Sequence, residues 1–163
     1  MSVLTGDPEV EAAAHSLGVA TLREPPTTNS LNGALAWALE ELARTESAAV
    51  LILQADLPAL TGPELATFTR SESAANRIFV ADQHGTGTTA LLLRTMSDSF
   101  RPQFGPNSAE RHRRAGAQLA YGQWPGLRHD VDTADDLDAA VALGVGPATA
   151  DALAACAKVP GRT

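Results

Sequence analysis
Aromatic side chains are scarce in this sequence of 163 residues. They make up 4% of it, so a core has to be assembled mainly from alanine, leucine and valine. Cysteine is nearly absent: the single Cys156 rules out an internal disulfide, which suits a reducing cytoplasm. No apolar run approaches the ~20 residues that a membrane helix needs, so no membrane partner is expected. The first seven residues lack a basic stretch followed by an apolar one, so no secretory signal is expected there. Basic charge is also short. The net charge is −7, whereas a nucleic-acid binder usually carries a basic face, so no nucleic-acid partner is expected. Both glycine-rich phosphate signatures are missing: there is no G-x-G-x-x-G and no G-x-x-x-x-G-K-[ST].

What is present has ordinary globular composition, 44% hydrophobic and 19% charged. The length suits a single domain over residues 1–163. Strand-like and helix-like patterns alternate, which predicts an α/β fold with a largely parallel sheet. Residues 2–5 read as the end of a strand. Asp7 and Pro8 open a helix that Gly18 stops, and residues 19–22 form a short strand. Leu31, Leu35, Leu39 and Leu42 repeat at helical spacing, predicting a helix over 31–44. Residues 48–53 are a continuous apolar run, as in a strand buried on both faces. A helix follows over 62–69, then strands over 78–81 and 90–93. A basic helix spans 108–117, a strand 127–131, and a helix runs to Leu143. Thr133 caps that helix with Asp136 as capping-box partner. Pro147 opens a last helix to Lys158.

Four constellations carry possible chemistry. Asp56 lies just after the apolar run, where open α/β sheets bind ligands. It fits a magnesium ligand and, equally, an ordinary turn-forming Asp. Asp130 and Asp132 are two apart, so they share a face if the chain stays extended; like charges side by side favour a bound cation. The alternative is that Asp132 only helps cap the next helix. The run His84-Gly85-Thr86-Gly87-Thr88-Thr89 offers backbone N–H groups for an anion nest, or is simply a flexible loop. Phe104-Gly105-Pro106-Asn107-Ser108 leads into the basic cluster Arg111, His112, Arg113 and Arg114. Ser108 suits an N-cap there, and a phosphate or carboxylate suits the helix start. His112 and His129 fit either a site or a structural role. His15 suits the surface and Cys156 a small core position.

Taken together, these segments resemble the guanylyltransferases of coenzyme F420 biosynthesis, which act on phosphoenolpyruvate or 2-phospho-L-lactate. The resemblance rests on four segments in order. They are Ala55-Asp56-Leu57-Pro58, the stretch from Ala81-Asp82 to Leu93 with Gly85, Gly87 and Thr88, Phe104-Gly105 through Ser108 to Arg111-His112, and Asp130-Val131-Asp132-Thr133 with Asp135-Asp136-Leu137. It implies a three-layer, nucleotide-diphospho-sugar-transferase-like (Rossmann-like) α/β fold. It further implies transfer of GMP from GTP to the three-carbon acid, with release of diphosphate. By the same resemblance Asp56, Asp130 and Asp132 hold Mg2+, and Thr88, Gly105 and Ser108 bind the acid. Phosphoenolpyruvate is the favoured acid, and a homodimer is allowed. Family members begin with a strand and a basic G-x-x-K-S-R-like loop. This chain starts at what resembles the second strand, which implies a fold truncated at its N-terminus and weak GTP binding. Alternatives are an inactive remnant or partner subunit, and a related transferase using CTP or a molybdopterin substrate.

Overall fold
A computed structural model describes residues 1–45, 49–95 and 100–157. The chain folds as two compact units, Met1–Val50 with Arg94–Phe104, and Leu51–Leu93 with Gly105–Thr163.

In the first unit, β1 (Ser2–Thr5) pairs in parallel with β2 (Ala20–Arg23), Val3 opposite Thr21. The connection is α1 (Pro8–Ser16), whose cap Asp7 accepts from the Glu9 amide. Ser30 caps α2 (Leu31–Ala43) by accepting from the Gly33 amide. At the second residue of α2, Asn32 clasps the backbone of Phe104: its Nδ2 donates to the carbonyl at 2.9 Å, and its Oδ1 accepts from the amide at 2.7 Å.

The second unit is built on a sheet of order β3-β5-β4-β6, with β3 at Val50–Leu53, β4 at Arg77–Ala81, β5 at Thr88–Leu93 and β6 at Gln118–Leu119. The β4–β5 pair is antiparallel and β4–β6 parallel. Of the apolar run, Ala48 lies outside the described residues. Its strand β3 is an edge strand of this sheet, half-buried throughout rather than covered on both faces. The sheet packs with α3 (Gly62–Thr69) and α5 (Pro125–Arg128), and α6 (Ala134–Leu143) lies against α5. Phe68, Ile78, Val80, Leu92, Trp124 and Leu127 fill the core, with Phe68 edge-on to Trp124 at 5.5 Å between ring centroids. Burying such side chains contributes about 1.5–3 kcal/mol each.

Three expectations need correction. Residues 127–131 are not a strand: Pro125 opens the short helix α5, and Leu127 turns into the core with no exposure. The basic helix α4 covers Ser108–Arg114 only, and Gly116 at φ 83 lets the chain turn into β6. Cys156 is exposed on α7 (Pro147–Ala157), not packed in a core. The expected helix end at Lys158 lies outside the described residues. Among the described residues no helix is long and apolar enough to cross a membrane.

Candidate active site
The candidate residues all belong to the second unit. Asp56 follows β3, in the turn leading to buried Leu57. The Val131 amide donates to the Asp56 carbonyl at 3.1 Å, which lays the Asp130–Asp132 stretch alongside Asp56. So the Asp130–Asp132 stretch runs beside Asp56, but not through strand alternation, since this stretch is irregular. Capping by Thr133 and Asp136 fixes its exit. The Asp136 carboxylate accepts from the Thr133 amide and hydroxyl and, at 3.3 Å, from the Asp132 amide.

The electrostatics of the group are those of crowded carboxylates. Burial pushes the Asp130 carboxyl above its usual range, and the charges of Asp82, Asp56 and Asp132 push it further. The Asp56 carboxyl, partly shielded from water, is raised by burial and by Asp132. A cation relieves both costs at once. Among the described residues no three His, Cys, Asp or Glu side chains stand close enough to form a ready cage. An open carboxylate set of this kind fits magnesium, which takes one or two protein carboxylates and completes its shell with water and substrate phosphate.

The second half of the site begins in the turn between β4 and β5. The strand register shifts there, so that Val80 faces Ala90 while Ala81 faces Thr88, leaving Thr89 as a bulge. Bulges re-aim side chains. Thr89 sends its hydroxyl to the Leu127 carbonyl at 2.6 Å, and Thr88 places its own 2.9 Å from Nδ1 of His112. Ala109 donates its amide to the Thr86 carbonyl at 3.0 Å, which fixes α4 against the turn. Thr88 and Ser108 are thereby brought to the same region, both buried.

The start of α4 differs from expectation. The cap position is Asn107, in a left-handed conformation at φ 55 and without a side-chain cap. Asn tolerates that region. The Gly105 carbonyl accepts from the Ser108 amide at 3.0 Å, so Ser108 becomes the first helical residue and turns inward, 1% exposed. Gly105 sits at φ 104, and a methyl group there would lie 3.3 Å from a terminal nitrogen of Arg111. The basic cluster thus splits by direction. Arg111 leans over Gly105, His112 is wholly buried, and exposed Arg113 and Arg114 pair with Glu110 at 2.7 and 2.9 Å. Those two arginines form a solvated helix face.

The sequence left His112 open between a site and a structural role and assigned no role to Asp82. His112 joins the site as the partner of Thr88. Burial, then the Arg111 charge, depress its pKa to about 4, so it is neutral near pH 7. Asp82, 7% exposed, accepts from the amides of Thr86 and Gly87 at 2.9 and 2.7 Å. The N–H groups expected to cradle an outside anion are therefore occupied by the chain's own carboxylate. Arg128 braces the same turn, donating to the carbonyls of Ala81 and Asp82. His129 is a structural residue, with Nε2 3.0 Å from the Asp136 carbonyl.

An α/β unit with acidic residues grouped beyond the exit of β3 suits a nucleotidyltransferase. Residues 1–122 match the family model described as the MobA-like NTP transferase domain, which makes the chain a member of that enzyme class. It is 46% identical to "Phosphoenolpyruvate guanylyltransferase" of Rhodococcus opacus, over 94% of this chain and 69% of that one. It is 48% identical to the protein of that name from Mycolicibacterium vanbaalenii, over 93% and 71%, and 46% identical to that of Mycolicibacterium gilvum, over 94% and 72%. The chain belongs to the phosphoenolpyruvate guanylyltransferase family.

Proposed function
We propose that this chain transfers a guanylyl group from GTP to phosphoenolpyruvate and releases diphosphate, as a cytoplasmic step toward coenzyme F420. The observation that carries the reading is the crowding of Asp56, Asp130 and Asp132 beside the turn that holds Thr88 and α4. Asp56 and Asp130, with Asp132 beside them, would hold Mg2+, which when bound neutralises phosphate charge. Thr88, Gly105 and Ser108 hold the phosphate and carboxylate of the acid. His112 keeps the Thr88 hydroxyl in place, and the Arg111 guanidinium adds positive charge over Gly105. An oxygen of the acid's phosphate forms the new bond to the α-phosphorus of GTP as the bond to diphosphate breaks. That oxygen is already ionised, so no residue needs to act as general base. The protein orients the two reactants and offsets their charge.

Diphosphate release from GTP and magnesium, measured with phosphoenolpyruvate and separately with 2-phospho-L-lactate, tests the reading. Release is expected with phosphoenolpyruvate and is expected to be lost in Asp130→Asn. Release with neither acid would overturn the reading, and faster release with phospholactate would reassign the substrate.

A further inference from the structure
The turn after β4 is a junction. The Asp82 carboxylate takes the Thr86 amide at 2.9 Å on one oxygen and the Gly87 amide at 2.7 Å on the other. Its backbone amide donates to the Gly87 carbonyl at 3.3 Å, and its carbonyl accepts from the Gly85 amide at 3.2 Å. Gly87 allows this approach because it has no side chain: a methyl group there would stand 2.5 Å from the nearer Asp82 oxygen. The turn closed in this way holds α4 through the Thr86 carbonyl and the Ala109 amide. It holds the cap of α6 through Gln83, whose Nε2 donates to Asp136 at 2.8 Å. The chain runs from Gly87 directly into Thr88.

A neutral Asn or Ser would close an ordinary turn of this length. A carboxylate adds repulsion, because Asp82 already bears on Asp130. The charge has one clear use, as an internal anion accepting two backbone N–H groups at once, a bond type roughly twice as strong as its neutral counterpart. We infer that Asp82 is a positioning residue for the acid substrate: it fills the anion nest of its own turn, fixing Thr88 and α4 for binding while keeping substrate phosphate off the turn's amides. This inference rests on the reading that Thr88, Gly105 and Ser108 form the acid side of the site.

The test compares the wild type with Asp82→Asn, which keeps the shape but replaces one accepting oxygen by a donor facing an N–H. It adds Gly87→Ala, which keeps the carboxylate but crowds it. Amide hydrogen exchange at Thr86 and Gly87 is read by NMR without substrates, and KM is measured for phosphoenolpyruvate and GTP. Both variants should exchange faster at these amides. Both should raise the KM for phosphoenolpyruvate by about tenfold, the loss of one or two hydrogen bonds, with the KM for GTP little changed. In Asp82→Gly, formate should restore the phosphoenolpyruvate KM in part, and chloride at equal ionic strength should not. Unchanged exchange, or equal losses for both substrates, would overturn the inference. Thr88→Ala and Ser108→Ala separate the two readings. If they raise the phosphoenolpyruvate KM and Asp82→Asn does not, Asp82 alone is misassigned. If they leave it unchanged, the acid site is elsewhere and both readings fall.

Discussion

The hydroxyl of Thr88 and Nδ1 of His112 lie 2.9 Å apart, and the imidazole has no exposure to solvent. Arg111 bears on its charge and disfavours protonation, and the neutral Thr88 hydroxyl lies against the ring. The ring therefore resists a proton that an unfolded chain accepts readily. Between the ordinary imidazole value of 6.5 and the folded value of about 4, the unfolded state binds more protons than the folded one. Stability from this group is present above that window and is lost as pH falls through it. The melting temperature should drop from pH 6.5 to pH 4. His112→Gln should flatten that part of the profile, which thermal melts across the range will measure. A slope identical in the two proteins would contradict the argument. Asp56 and Asp130, with raised values, act in the opposite direction, so the difference between the two profiles isolates His112.

Removing one crowded charge should separate stability from activity. Asp130→Asn relieves repulsion from Asp82, Asp56 and Asp132. The metal-free variant should melt no lower than the wild type. Its rate of guanylyl transfer should fall by about 100-fold or more, as when one electrostatic contact to a transition state is lost. Added magnesium should raise the melting temperature of the wild type more than that of the variant. Melting scans with and without magnesium, beside initial rates, check all three outcomes.

Ser108→Ala should discriminate between substrates. The side chain is small and inward, so little packing is lost. The KM for phosphoenolpyruvate should rise by about tenfold, the equivalent of one hydrogen bond to a charged group, and the KM for GTP should stay within about twofold. Steady-state kinetics with each substrate varied in turn gives the answer.

Gly126 tests the close approach of α5 to the backbone at Ala59. A methyl group there would meet the Ala59 carbonyl oxygen at 2.1 Å, and that backbone cannot swing aside as a side chain would. Its amide donates to Glu64 at 2.8 Å. Gly126→Ala should cost about 1–3 kcal/mol by overpacking. Denaturant titration will measure it. Glu64→Ala, which leaves the Gly126 amide without its acceptor, should cost about as much.

Local signals were the readable part of this sequence. Asp7 with Pro8, and Thr133 with Asp136, set helix starts through atoms a few residues apart, and the structure repeats both. The family was legible for a similar reason, as short motifs in a fixed order. Pairings that exist only in the folded chain were not. Strand β6 is two residues long and has no period to read; it is defined by Ile78 opposite Gln118 and Phe79 opposite Leu119. Residues 127–131 were read as a strand because the helix-opening role of Pro125 was passed over. The Asp130–Asp132 stretch nonetheless runs beside Asp56, through a backbone contact that strand spacing does not describe. Asp82 looked like any Asp after a strand, since its partners Thr86 and Gly87 become significant only once the turn folds back. In the run Arg111 to Arg114, charge alone did not reveal which side chain turns inward.

The clasp of Asn32 on Phe104 has a consequence for the order in which the polypeptide is made. A ribosome delivers α2 long before it delivers Phe104, because the intervening chain first builds β3, β4 and β5. The first unit is thus discontinuous in time as well as in sequence: Asn32 waits, its amide satisfied only by water, until the nascent chain returns. The β4–β5 hairpin, by contrast, pairs with its nearest neighbour in sequence and can form as it emerges. Vectorial synthesis therefore lets this hairpin form before the earlier unit is complete, and nascent chains stalled before Phe104 should leave α2 open to proteases.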